Sequence, residues 1–256
     1  MTDRSWLDFS EKVVLITGGG GAIGNQLARA FAEREANLVI VDADKAKLSA
    51  TQAVVEALGR QTLVEMLDIR DGAVVEAFVA RAWNYFGAID VLVNTAAVYD
   101  RGPSVDFTEE RFDRVIDINL KGTWLMCRAV GRRMITRGSG RIINYTSNAG
   151  VRGTPAQVAY NISKAGVISL TRSLAVEWAK TGVAVNAVAP GPTDTPLMAA
   201  AFTVSAFREA FAPRIPAGDL MPVDATIIPV LFLASPEASR WVLGQTLFVD
   251  GGMNAT

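Results

Sequence analysis

The chain has 256 residues, with 25 Lys and Arg against 26 Asp and Glu; half of it is hydrophobic and 20% is charged. That length and apolar content suffice for one buried core and exclude a disordered chain, while the near-balanced charge argues against a nucleic-acid surface or a polybasic membrane anchor. There is no histidine and only one cysteine, Cys127. Ser-His-Asp triads, His-liganded metals, thiolate clusters and internal disulfides are thereby excluded. Acid–base work must fall to Tyr, Lys, Asp or Glu, and the expected partners are small molecules. Sparse cysteine suits a reducing, cytoplasmic setting. The first residues lack the continuous apolar core of a signal peptide, and no later run reaches the length of a membrane span.

In chain order, Val13-Val14-Leu15-Ile16 opens a series of short β-branched runs. The others are Leu38-Val39-Ile40-Val41, Val91-Leu92-Val93, Ile142-Ile143, Val183-Ala184-Val185 and Leu247-Phe248-Val249. They are continuously apolar rather than alternating, as strands buried on both faces should be. Between them, helical spacing runs over 23–35, 46–58, 74–86 and 158–179. Strand and helix alternate, which predicts an α/β fold: a single-domain, Rossmann-type doubly wound parallel sheet with helices on both faces. No linker, repeat or low-complexity tract divides the chain. The stretch over about 190–222 lacks strand character and carries scattered prolines, and a long excursion after a late strand is where a substrate lid would sit.

The first run leads into Thr17-Gly18-Gly19-Gly20-Gly21-Ala22-Ile23-Gly24 and then a helix. Strand, glycine turn and helix in that order form the context of a dinucleotide site, where backbone approaches a pyrophosphate at a helix N-terminus. No Lys-Ser or Lys-Thr follows the glycines, so a P-loop is excluded. Asp42 ends the second strand, where a carboxylate would bond the adenosine ribose and repel a 2′-phosphate; no basic residue stands at 41 or 43, which favours NAD over NADP. Asp44 is the better-placed cap for the following helix. Tyr160 and Lys164, four apart at helical spacing, lie on one face, and an ammonium so close should lower the phenol's pKa and give a general base without histidine.

Taken together, the glycine loop, Asp42, Asn119, Ser147, Tyr160 and Lys164 resemble the compact, single-domain branch of the short-chain dehydrogenase/reductase family, over nearly the whole chain from Val13 to Gly252. Ala22 stands where the family's loop has its middle glycine. The resemblance implies a catalytic tetrad of Asn119, Ser147, Tyr160 and Lys164. It also implies cofactor contacts from Gly18, Gly20, Gly21, Ala22, Ile23, Gly24 and Asp42, and from Asp68 and Ile69 near the adenine. Asn94 and Ala96, in a turn that departs from the family's at Thr95 and Ala97, complete the cofactor side with Tyr160, Lys164, Pro190, Gly191, Thr193 and Thr195. The implied reaction is NAD-dependent interconversion of a secondary alcohol and a ketone, without a metal. Tyr160 would exchange the proton, Ser147 orient the substrate oxygen, Lys164 bind the nicotinamide ribose, and Asn119 position a water that links Lys164 to solvent. A homotetramer or dimer is implied in the same way.

Position in the fold puts Tyr99, Arg101, Ala149, Arg152, Val158 and the lid from Leu197 to Leu220 near the substrate. Arg152 either recognises a carboxylate or sulfonate or faces solvent or a subunit interface. Two other functions use the same fold: ketoacyl reduction on an acyl carrier protein, against which Asp42 argues, and non-catalytic NAD binding, against which the intact tetrad argues.

Overall fold

The computed structural model describes residues 5–199 and 203–256. Among them are seven strands, β1 Val13–Thr17, β2 Asn37–Asp42, β3 Thr62–Met66, β4 Val91–Asn94, β5 Gly140–Tyr145, β6 Val183–Pro190 and β7 Thr246–Val249, in one sheet of order β3-β2-β1-β4-β5-β6-β7. Every pairing is parallel. The helices are α1 Ala22–Ala32, α2 Lys45–Ala57, α3 Gly72–Phe86, α4 Glu109–Ile116, α5 Thr123–Arg137, α6 Val158–Trp178, α7 Pro196–Ala199, α8 Val204–Phe211 and α9 Ile227–Ala234. The expected doubly wound sheet is therefore present, and all six expected strands are found within it.

Successive side chains of a strand face opposite ways, so each apolar run feeds two cores. From β1, Val13 and Leu15 join Phe78, Leu92, Met126, Val130 and Trp178 under α3, α5 and α6. Val14 and Ile16 join Leu27, Phe31, Ile40, Val93 and Leu231 under α1 and α9. The strand missing from the sequence reading, β3, lies at the sheet edge, is only partly buried, and carries Thr62 and Glu65 in place of a continuous apolar run. Asp44 caps α2 as expected, accepting from the Ala46 and Lys47 N–H groups at 3.0 and 3.2 Å.

Cys127 sits within the first core, fully buried, and desolvation pushes its thiol up to about 12. A thiolate is the reactive form. Native protein should therefore release no chromophore from a disulfide reagent such as Ellman's reagent, and urea-unfolded protein should release one equivalent. Rapid release from the native state would contradict this packing.

The strand order reverses direction at β1, between β2 and β4. In open parallel sheets the crevice at such a reversal, beyond the carboxyl ends of the strands, is the binding site. The loops after β1, β4, β5 and β6 all open there. From β3 to β6 the edge spans five strand spacings, roughly 24 Å at about 4.8 Å each, enough for an extended dinucleotide.

Candidate active site

The glycine turn is shaped by close approach more than by left-handed backbone. Gly18 alone within it has a positive φ, 65°, and a Cβ there would stand 2.7 Å from the Ala96 Cα and N. A Cβ on Gly24 would fall 2.3 Å from the Gly18 carbonyl oxygen. Ala22 opens α1 outside the left-handed region, so its methyl is accommodated where the family favours glycine. Gly21 at the N-cap offers no side-chain acceptor. The first-turn N–H groups of Ala22, Ile23 and Gly24 are thus left for an external anion, which the helix dipole also favours. This uncapped helix start behind a turn packed against Ala96 fits a dinucleotide's pyrophosphate.

Asp42 ends β2 with both carboxylate oxygens engaged: Oδ2 accepts from the Gly20 N–H at 3.1 Å and Oδ1 from the Asp44 N–H at 3.0 Å. No basic side chain pairs with it among the described residues. A basic neighbour that sequence adjacency does not reveal is Lys47, whose Cβ would lie 2.6 Å from a Cβ on Gly20; its amine pairs with Asp44 at 3.2 Å. Asp68 follows β3, exposed, its carboxyl held below the usual range by Arg70 at 2.6 Å. Ile69 is buried and turned toward the start of α5, where its side chain would stand 2.7 Å from a Cβ on the preceding Gly122.

Asn94 does not reach the cleft. Its amide is buried under the turn, donating to Asn144 Oδ1 at 2.9 Å and accepting from Thr17 Oγ1 at 3.5 Å. Thr95 and Ala97 line the cleft instead, while Ala96 packs against Gly18 and its N–H donates to Thr17 Oγ1 at 3.3 Å. A buried polar chain running Thr17, Asn94, Asn144 and Thr171 ties β1, β4 and β5 to α6 directly beneath the turns. Such a satisfied network fixes their relative positions at little desolvation cost.

On the other side of the reversal, Ser147, Tyr160, Lys164, Pro190, Gly191, Thr193 and Thr195 all line one cavity, open to solvent, with Ile23 also on its wall. Ser147 follows β5 and hydrogen-bonds the Tyr160 hydroxyl. Thr193 Oγ1 donates to the Gly191 carbonyl at 2.9 Å and shapes the turn after β6. Asn119 is fully buried in a π-helical turn, Asp117–Gly122, between α4 and α5. Its amide donates to the Val98 carbonyl at 2.9 Å and to Ser163 Oγ at 3.1 Å, and its Oδ1 accepts from the Val98 N–H at 2.8 Å. The side chain thus spans from the β4 loop to α6 one residue before Lys164, and is not on the cavity wall.

Tyr160 and Lys164 share a face of α6, but the lowered phenol pKa expected from their spacing is absent. Enclosure by protein pushes the phenol up to about 12, the Ser147 hydrogen bond opposing it. Burial lowers the Lys164 amine to about 8. The physical reason lies in the geometry: the amine donates to the Tyr145 carbonyl at 3.0 Å and stands 5.7 Å from the phenol ring's centroid. Desolvation therefore outweighs the pairing.

Of the expected pocket residues, Tyr99, Ala149, Arg152 and Leu197 line the cavity, and Arg101 and Val158 do not. Met198, Phe207 and Phe211 of the expected lid line it too, and Thr154, Gln157 and Met253 line it without having been expected. The lining from Leu197 to Phe211 comes from α7, α8 and their flanks, within the excursion between β6 and α9. A parallel sheet with a glycine turn at its reversal and a Tyr-Lys pair facing the same crevice defines a dinucleotide-dependent oxidoreductase.

Comparison with known proteins agrees. Residues 20–254 match the family described as enoyl-(acyl carrier protein) reductase. Galactitol 2-dehydrogenase of Agrobacterium fabrum is 40% identical over 253 residues, covering 95% of this chain and 97% of the relative. Cis-4-hydroxycyclohexanecarboxylate dehydrogenase of Sinomonas cyclohexanicum is 39% identical over 248 residues, covering 96% and 98%. A gluconate 5-dehydrogenase from Burkholderia cenocepacia, solved in complex with NADP and tartrate, superposes with a TM-score of 0.92 at 35% identity over 98% of each chain. The chain belongs to the short-chain dehydrogenase/reductase family. It is an NAD(P)-dependent oxidoreductase of the secondary alcohol and ketone class, and the acyl-carrier and non-catalytic alternatives are not favoured.

Proposed function

We propose that this protein oxidises a secondary alcohol with NAD as the preferred acceptor, using Tyr160 as general base, and runs the reverse reduction with Tyr160 as general acid. The observation that carries this reading is the convergence of Ser147, Tyr160 and Lys164 on one cavity with Ile23, Pro190, Gly191 and Thr193. Bound nicotinamide supplies the hydride-accepting or hydride-donating carbon. The N–H groups at the start of α1 would hold the pyrophosphate, Asp42 the adenosine ribose, Lys164 the nicotinamide ribose, and the Pro190 to Thr195 turn the carboxamide. Ser147 hydrogen-bonds the substrate oxygen and keeps it in reach of the Tyr160 phenolic oxygen, which as phenolate takes up the alcohol proton in oxidation and as phenol returns it in reduction.

Asn119 acts here by position, bracing the β4 loop against α6 beside Lys164. The excursion at 190–222 serves as a lid, supported by Leu197, Met198, Phe207 and Phe211 on the cavity wall. Assembly as a homotetramer or dimer belongs to the same reading, by analogy with the family.

The NAD preference rests on Asp42, a carboxylate without a basic partner where a 2′-phosphate would approach. A screen of secondary alcohols and polyols with both cofactors tests the reading. NAD should exceed NADP in kcat/KM by about 10-fold or more, and Asp42→Ala should bring the two within a few-fold, since one repelled charge is an effect of about 1–3 kcal/mol. A wild-type preference for NADP would overturn the cofactor assignment and leave the reaction class standing.

A further inference from the structure

Resting on the alcohol-oxidation reading just given, one feature of the cavity reaches further, to the class of alcohol. The described residues that line it include two cations, Arg152 and Lys164, and no Asp or Glu. Lys164 is buried at the inner end and committed to the Tyr145 carbonyl. Arg152, in the turn after Ser147, has no carboxylate within ion-pair distance among the described residues. Its partner in the structure is the Met253 carbonyl, which one guanidinium N–H reaches from the cavity wall. A guanidinium carries five N–H donors in a planar fork suited to a carboxylate, so most of that fork is left for a ligand.

The segment that holds Arg152 is itself anchored. Asp250 accepts from the Gly252 and Asn254 N–H groups at 3.0 and 2.9 Å, and Asn148 Nδ2 donates to Met253 Sδ at 3.0 Å. The Met253 carbonyl is thus a fixed post, and the arginine that leans on it pays less ordering entropy on binding than a free surface side chain.

A second, independent observation lies across the cavity. Tyr99 lines the same cavity, and its hydroxyl is buried without a hydrogen-bond partner. Its ring stands edge-on to the Tyr160 ring, with centroids 5.1 Å apart, so it borders the reacting centre. A buried hydroxyl left without a partner is costly, and polar groups of this kind are normally satisfied. Ala97, Leu197, Met198, Phe207 and Phe211 give the cavity an apolar face, next to the polar Asn148, Thr154 and Gln157.

We propose that the substrate is a secondary hydroxy acid with a largely apolar carbon frame, its carboxylate read by the Arg152 guanidinium and the Tyr99 hydroxyl while its alcohol meets Ser147 and Tyr160. Neutral polyols lack the group this arrangement reads. Arg152 and Tyr99 set specificity and take no part in proton or hydride movement.

The test compares acids with their primary amides, which keep shape and lose charge. Turnover is measured on 4-hydroxycyclohexanecarboxylate and 4-hydroxycyclohexanecarboxamide with NAD. Binding is measured separately, by titrating the NADH-loaded protein with cyclohexanecarboxylate and cyclohexanecarboxamide. Wild type should favour acid over amide by about 10-fold or more in both readouts, the size expected of a charge-assisted pair at a partly solvated site. Arg152→Gln should bring the ratio close to unity, Arg152→Lys should restore part of it, and Tyr99→Phe, which keeps the ring packing, should lower it by about 5-fold.

Equal treatment of acid and amide by wild type, binding of neither, or a preference that survives Arg152→Gln would overturn the proposal. Selective acid binding through Arg152 with no oxidation of any alcohol would instead leave this site standing and overturn the redox reading. Oxidation of neutral alcohols without acid selectivity would do the reverse.

Discussion

Replacing Tyr160 with phenylalanine is expected to lower kcat/KM for alcohol oxidation by about 10³-fold or more, because the proton on the substrate oxygen loses its only positioned acceptor. Cofactor affinity should change little. The phenylalanine ring keeps the edge-on contact to Tyr99, and what the cavity loses is one hydroxyl hydrogen-bonded to Ser147. The measurement is paired: steady-state turnover on a secondary alcohol, and NADH titration by fluorescence on the same preparation. Retained turnover would remove Tyr160 from the chemistry. Loss of NADH binding together with turnover would make the tyrosine a structural support of the cofactor crevice. Ser147→Ala is the companion case, with substrate orientation lost and the base kept, so a smaller decrease is expected.

The parts of this molecule legible from sequence are those that local physics determines. Val13 to Ile16 reads as a strand because it is buried on both faces, and the turn that follows reads as a phosphate loop because Gly18 and Gly24 touch backbone where a side chain would collide. Asp42 and Asp44 are set by the end of β2 and the start of α2, so their separate roles as strand-end carboxylate and helix cap can be told apart on the page. The edge strand β3 was hidden because partial burial relaxes the apolar run that marks a central strand.

The cavity wall was less legible, since it is assembled from segments distant in the chain, and which way a side chain turns depends on packing. Asn94 shows this: its place after β4 is right for the crevice, yet Asn144 and Thr17 draw its amide inward. Val158, at the start of α6, does not line the cavity, whereas its neighbour Gln157 does. Met253 reaches the cavity only because Gly251 and Gly252 adopt positive φ, 63° and 89°, and fold the end of the chain back over the turn after β5. The Gly-Gly pair in the sequence signals a turn there, but not where it aims.

The Tyr160–Lys164 relation marks the sharper boundary. Helical spacing fixes which face the two side chains share, but the sign of a pKa shift depends on the balance between burial and charge, which spacing alone does not contain.

That balance makes Lys164→Met the second large effect. Burial pushes the Lys164 amine down to about 8 and the Tyr160 phenol up to about 12, both in the direction that disfavours charge. Alcohol oxidation needs the phenolate, so its kcat/KM should climb with pH from neutral into the alkaline range; ketone reduction needs the phenol and should be flat through neutral pH. We propose that Lys164 keeps its proton while the phenolate forms, so that an ammonium offsets part of the phenolate's desolvation in a cavity of low dielectric. Removing it should push the rise for oxidation to higher pH and lower the rate at pH 7, by about 10-fold for each unit by which the base's pKa rises. Reduction at the same pH should fall less, because the neutral phenol it uses is not stabilised by the ammonium. Methionine fills the space of the lysine stem but leaves the Tyr145 carbonyl without its donor, so a lowered melting temperature is expected as well. Comparing the two pH profiles in variant and wild type separates these effects. A destabilised protein whose oxidation profile keeps its wild-type midpoint would mean that Lys164 acts only as a structural and cofactor-binding residue, and that another group sets the charge on Tyr160.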